Sequence, residues 1–283
     1  MIERFVRSWE LVKASAGVLA QDRELLMFPL IASLAAIAIV AAFVLPLLGL
    51  GAFDGLDRGT GGNGEILLLV LGVAFCVVEY FVMIFFQSAL VGAAMIRLRG
   101  GDPTLGDGLR IAWSRLGAIL GYALIAATIG ILLRSAQERS GMIGRWVAGL
   151  IGVAWTVATY LVVPVLVTRD VGPLEAVRES ARLLQRSWGE NVIGQGGIGL
   201  VCGALQFLLV LAGGLATAIA PVDRGVAPIA ITITLTAIAV ILVALVQTAL
   251  SGIYAAALYR HAIGEQPAPG FDQRMLAGAF VPK

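Results

Sequence analysis

Residues 226–259 read VAPIAITITLTAIAVILVALVQTALSGIYAAALY, without one charged side chain. As an α-helix this stretch rises about 50 Å, at roughly 1.5 Å per residue. The hydrocarbon core of a bilayer is about 30 Å thick, and ~20 apolar residues already cross it. The run is continuously apolar and does not alternate, so it is not the strand of a β-barrel. A helix that is apolar on every side has no face to offer water. Lipid is the solvent that suits it.

Outward from this stretch, five further runs have the same character: 25–50, 66–95, 117–133, 147–168 and 192–221. The sequence therefore predicts an all-α, polytopic membrane helix bundle with six transmembrane helices. Pro29, Pro46 and Pro164 fall inside spans, where lipid-embedded helices tolerate proline better than soluble ones do. Composition agrees. Of 283 residues, 59% are hydrophobic and 13% charged, against about 45–50% and about 25% in soluble domains. The first 24 residues carry eight charges of mixed sign and no apolar core, so they do not read as a cleavable signal. The run that follows is too long for a signal core and is expected to remain as the first span.

Positive charge orients the set. With the N-terminus inside, the inner segments hold fifteen cations: Arg4, Arg7, Lys13, Arg23, Arg97, Arg99, Arg110, Arg115, Arg169, Arg178, Arg182, Arg186, Arg260, Arg274 and Lys283. The outer loops hold five, Arg58, Arg134, Arg139, Arg145 and Arg224. Both ends are thus expected in the cytoplasm. The weakest point is the outer loop 134–145, with three arginines and one glutamate.

Each odd-numbered span is preceded by a stretch with apolar residues three or four apart. These are Ile2, Phe5, Trp9, Val12, Ala16 and Leu19; Leu105, Leu109, Ala112 and Leu116; and Leu174, Val177, Ala181, Leu184 and Trp188. That spacing predicts three cytoplasmic-side amphipathic helices, over 2–20, 104–115 and 173–187. They lie either in the inner leaflet boundary with their arginines on anionic headgroups, or as short helices packed on the bundle. Trp9, Trp113 and Trp188 recur beside them, at a depth where an indole suits the headgroup layer. The division expected is one membrane domain over 1–261, in loose units 1–95, 96–168 and 169–261, followed by a cytoplasmic tail over 262–283. Triplication and three separate solutions to one packing problem both account for the plan.

Among side chains with chemistry, Glu79 stands out, near the middle of the second span with Tyr80 beside it and Gln87 two turns on. An ionised carboxylate there costs several kcal/mol unless paired or wetted. No basic residue lies within another span, so the neutral acid, pointing into the bundle, is expected. As a site it reads as an ion, proton or substrate relay; as structure, as a hydrogen-bonded packing element. Gln206, Gln247, Thr156, Thr159, Tyr160 and Tyr254 are the other polar residues at this depth and read as interhelical glue. Arg4, Arg7, Arg110, Arg178, Arg182 and Arg186 are the candidate contacts for anionic lipid. Glu175 and Glu179 interleave with the last three, as on an ordinary solvated face.

Gly194-Gln-Gly196-Gly-Ile-Gly199 matches the spacing of a dinucleotide fingerprint, but that motif needs a strand before it. Small residues for close helix packing explain it better. Gly199 with Gly203, and Gly117 with Gly121, form G-x-x-x-G pairs that could mark a homo-oligomer contact. Cys76 and Cys202 read as small buried hydrophobes, and His261 is the sole histidine. Ser251 lies ten residues from it, about 15 Å along a helix. No catalytic set, metal site or cofactor is expected, and no nucleic acid partner.

Several stretches resemble a bacterial membrane family known as a domain of unknown function (number 6159). They are Arg7-Ser-Trp9-Glu-Leu-Val-Lys13-Ala-Ser15, Gln21-Asp22-Arg-Glu-Leu25 and Phe28-Pro29; Phe85-Phe-Gln-Ser-Ala-Leu90 and Ala158-Thr-Tyr160-Leu-Val-Val-Pro164; Gly172-Pro173-Leu-Glu-Ala176 with Ser187-Trp188-Gly189; Ala249-Leu-Ser251-Gly-Ile-Tyr254; and Gly270-Phe271-Asp272 with Pro282-Lys283. The resemblance implies a polytopic protein of the bacterial inner membrane and supplies no catalytic residues. More distantly, the plan of short helix plus hairpin resembles the membrane domain attached to some glycerophosphodiester phosphodiesterases, without their catalytic domain. The functional expectation is a non-enzymatic membrane module that meets lipid or partner proteins. The alternative is a transporter or channel using Glu79.

Overall fold

The computed structural model describes residues 13–49, 63–185, 191–218 and 227–265. Arg4, Arg7, Trp9, Arg58, Arg186, Trp188, Arg224 and the tail beyond residue 265 lie outside the described residues.

Every regular element among the described residues is helical. Residues 13–21 form a helix, followed by a 3-10 turn over Arg23–Leu26. Then come α1 (Met27–Gly49), α2 (Asn63–Leu98), α3 (Leu105–Ser114), α4 (Leu116–Arg139), α5 (Met142–Ala158), α6 (Val162–Thr168), α7 (Pro173–Gln185), α8 (Asn191–Ala218) and α9 (Ala227–Ala262). Six stretches are long and apolar enough to cross a membrane: Arg23–Gly49, Ile66–Leu98, Leu116–Arg139, Met142–Thr168, Ile198–Ala218 and Ala227–Ala262. The all-α reading and the six apolar runs are met. The dinucleotide-like glycines lie inside α8, with no strand among the described residues.

The fourth stretch departs from a plain rod. It is broken at Thr159–Leu161, between α5 and α6. Pro164 explains the break: it has no amide to offer the carbonyl four residues earlier, and its ring crowds that carbonyl. Thr156 and Thr159 add to it by donating their hydroxyls back to Gly152 O (2.9 Å) and Trp155 O (2.8 Å), a bond that bends helices.

Contacts gather the chain into two compact units. One comprises residues 1–26, 94–102 and 186–283; in it α8 runs along α9, and the Arg23–Leu26 turn packs on α9. Its buried side chains include Leu25, Leu98, Ile198, Ile253, Tyr254 and Tyr259.

The other unit comprises residues 27–93 and 103–185; in it α4 packs on α5, and α7 packs on α4, α5 and α6. Phe28, Leu90, Ile119, Leu161 and Leu166 are buried there. The short helix α3 begins at a capping box. The Thr104 hydroxyl accepts the Asp107 amide at 3.2 Å, and the Thr104 amide donates to Asp107 Oδ2 at 3.1 Å. The Thr104 hydroxyl and amide hold the Asp107 carboxyl below its ordinary range. Gly108 seats α3: a Cβ there would stand 2.5 Å from Phe28 Cζ and 2.7 Å from the Ala89 carbonyl oxygen. Only glycine allows that approach.

Candidate functional site

Polar side chains collect around the broken helix. The break at Thr159–Leu161 removes regular partners from the backbone, and Ser180 on α7 supplies them. The Leu161 amide donates to Ser180 Oγ at 3.1 Å, and Ser180 Oγ donates to the Ala158 carbonyl at 2.7 Å. Ser180 is 0% exposed. One hydroxyl thus stitches both sides of the break, because it can accept and donate at once.

Thr159 extends the network. Its hydroxyl donates to Trp155 O and also interacts with the Tyr122 hydroxyl. Tyr80 stands near Tyr122, and its hydroxyl would lie 3.0 Å from a Cβ on Gly130. Tyr122 of α4 therefore meets the unwound turn between α5 and α6, and Tyr80 of α2 stands near it.

Of the sequence candidates, Tyr80 stands beside this cluster. Glu79 and Gln87, on the same helix, are half-buried, and among the described residues no hydrogen bond joins Glu79 to Tyr122 or Thr159. Gln206 and Gln247 join α8 to α9 through a 3.4 Å amide–carbonyl bond, and Gly213 gives Thr236 room on the same hairpin. Gly199 and Gly203 face open space, as does Gly117, whereas Gly121 accommodates Pro173 of α7.

The candidate lipid arginines that the structure describes are exposed. Arg110 pairs with Asp107 at 2.7 Å, and Arg182 lies 3.9 Å from Glu179, which is held at 3.0 Å by Arg169. Arg178 is exposed on the same helix. Buried Ala112 in α3, and Ala176, Ser180, Leu183 and Leu184 in α7, form the opposite faces. Trp113 is 69% exposed, edge-on to Phe85. Arg4, Arg7 and Arg186 lie outside the described residues.

A second polar centre was not legible as a site. The ends of α2 and α9 both close with glycine in the left-handed region, Gly100 (φ +86°) and Gly264 (φ +79°). The amides of Gly101 and Glu265 reach back to Ile96 O (3.0 Å) and Arg260 O (2.9 Å), the six-to-one bond of a glycine-terminated helix. That return brings Glu265 onto Arg260, whose Nε donates to Oε2 at 2.7 Å. Arg260 is 8% exposed and also donates to the Leu98 carbonyl. Arg99 holds the other oxygen of Glu265 at 3.2 Å. The Arg260 guanidinium first, and Arg99 with it, keep the Glu265 carboxyl below its ordinary range. Arg97 reaches Asp102 at 3.3 Å and Gln21 at 3.5 Å. Asp22 beside it is buried, and burial pushes its carboxyl up against the pull of the Glu24 amide and Arg97.

No curated protein and no solved structure matches the chain. The model of a family of unknown function (DUF6159) matches residues 66–269. That match takes in α2 through α9 almost whole, including the Ser180 cluster and the Arg260–Glu265 pair, and the chain belongs to that family.

Proposed function

We propose that the chain is a non-enzymatic module of a bacterial cytoplasmic membrane, both ends inside, which works by contact with lipid or partner proteins. One observation carries this reading. The most apolar stretches within Arg23–Gly49, Ile66–Leu98 and Ala227–Ala262 have none of their residues buried within the chain. These stretches leave their apolar side chains uncovered by the described chain, available to lipid or to another protein. The exposed rows Arg110 and Arg178–Arg182 stand at the inner ends, where an anionic headgroup is worth about 1 kcal/mol per cation.

Two measurements test it. In a background with Cys76 and Cys202 replaced by alanine, Arg178→Cys and Gln137→Cys are labelled with an impermeant maleimide. Position 137 is expected to react in intact cells and 178 only after permeabilisation; the reverse pattern overturns the orientation. The triple variant Arg110→Gln, Arg178→Gln, Arg182→Gln is expected to bind anionic lipid on the order of 100-fold more weakly, at about fivefold per cation lost, and so to lose it through purification. Unchanged lipid retention counts against the lipid arm of the reading.

A second reading is favoured by Glu79, a half-buried carboxylate within an apolar span. If it relays protons, Glu79→Gln abolishes a pH-dependent flux in proteoliposomes and leaves the fold intact. If it serves packing, Glu79→Gln behaves like the wild type and Glu79→Leu mildly shifts stability. Identical behaviour of all three proteins leaves Glu79 without a role.

A further inference from the structure

The two-residue turn between α4 and α5 carries a charge pattern that the orientation rule does not explain. Three of the five outer cations sit in residues 134–145, with a single carboxylate, Glu138. Arg134 takes that carboxylate at 3.0 Å. Arg139, the last residue of α4, and Arg145, in the first turn of α5, are exposed and make no ion pair among the described residues.

Arg145, Trp146, Gly149, Leu150 and Val153 line a shallow, open apolar notch of about 390 Å³. All five belong to α5. Gly149 makes the notch, since nothing stands within 4 Å of where its Cβ would be. Trp146, Leu150 and Val153 are exposed along it, Trp146 by 71%. Gly141, the N-cap of α5, makes no side-chain cap hydrogen bond, so the positive helix end lies in the same short segment as Arg139 and Arg145 without a capping side chain from Gly141.

We propose that this turn binds one anionic glycerophospholipid. Arg145 and Arg139 hold its phosphate, and one acyl chain lies in the notch against Trp146, Gly149, Leu150 and Val153. The matching of charge and greasiness selects this occupant. A phospholipid carries its anion and its apolar chain in the order in which α5 presents its cation and its groove. A partner protein would need to bring a carboxylate to the same depth as an apolar ridge, and free phosphate would leave the groove unfilled. The proposal rests on α4 and α5 crossing the membrane and is independent of the inner arginines.

The test uses the full chain with Trp146 as its one tryptophan, the other four being replaced by phenylalanine, in phosphatidylcholine vesicles. Brominated phosphatidylglycerol or brominated phosphatidylcholine is added at equal mole fraction, and quenching reports what sits against Trp146. Phosphatidylglycerol is expected to quench at several-fold lower mole fraction. Arg139→Gln with Arg145→Gln is expected to abolish the preference, at about fivefold per cation, whereas Arg145→Lys keeps most of it. Gly149→Leu, which has room for its side chain, is expected to weaken quenching by both lipids. Equal quenching of the parent protein by the two lipids overturns the proposal, as does a preference that survives in the double glutamine variant. Displacement by soluble glycerol phosphate overturns lipid as the occupant. These outcomes are read apart from lipid retention at Arg110, Arg178 and Arg182, whose loss leaves Trp146 quenching unchanged.

Discussion

Arg260→Leu is expected to lower stability by about 3 kcal/mol, measured by denaturant unfolding in detergent micelles followed by circular dichroism. Removing one partner of a buried ion pair costs about 3–5 kcal/mol, because the groups left behind lose their counter-charge inside the protein. The low end applies because Glu265 keeps Arg99 and its side chain is 32% exposed. Among the described residues the Leu98 carbonyl has no such second side-chain partner. Arg260→Lys is expected to recover part of the loss. It restores the charge, but an ammonium lacks the planar fork that serves Glu265 and Leu98 together.

The pH dependence has a definite sign. The folded-state pKa of Glu265 is depressed, so the stability it contributes is complete above its unfolded value of about 4.3. It is lost as pH falls through the folded value. The gap between the wild type and Arg260→Leu should therefore narrow below about pH 4. A gap that stays constant down to acid denaturation would show that Arg260 acts by packing alone.

Ser180→Ala should cost about 2 kcal/mol, for a different reason. The side chain lost is small, and almost nothing of apolar burial goes with it. What is lost is the common partner of the Leu161 amide and the Ala158 carbonyl. A buried backbone group left unsatisfied costs about 1–3 kcal/mol. The effect should depend on Pro164. In a Pro164→Ala background the segment regains an amide and can close toward a continuous helix, and Ser180→Ala should then cost about 1 kcal/mol less, a coupling of the size seen between groups in one network. Strict additivity of the two substitutions would refute the stitch.

How much of this was legible beforehand differs by level. The six apolar runs and the helices at Leu105–Ser114 and Pro173–Gln185 follow from residues that are neighbours in the chain, whereas Pro164 was read only as a tolerated proline and its helix break was not foreseen. Tyr80 was singled out with Glu79 because the two are adjacent in sequence. A helix turns about 100° between neighbours, and the structure takes the tyrosine to Tyr122 while leaving the glutamate outside that network. Ser180 was read only as a member of an inner helix; the available signal was the proline's missing amide, which demands a donor or acceptor from elsewhere. Arg260 was counted for its charge. The glycine at 264, which turns Glu265 back onto it, was the local sign of a pair.

By itself, then, the sequence determined that this chain is helical and built to cross a membrane. Lipid offers the backbone no hydrogen bonds, so a long apolar run has one way to satisfy its own amides and carbonyls, and that is local. It also determined where helices start and stop, through Thr104, Pro164, Gly100 and Gly264, because caps and breaks involve residues a few positions apart. Only the tertiary structure decided which polar groups meet. The Arg260 bond to Leu98 spans 162 positions, the Arg99 bond to Glu265 spans 166, and the Ser180 bond to Ala158 spans 22. Such bonds depend on how helices lie against one another. That is set by the fit of side chains along whole helix faces, and no local pattern of residues encodes it.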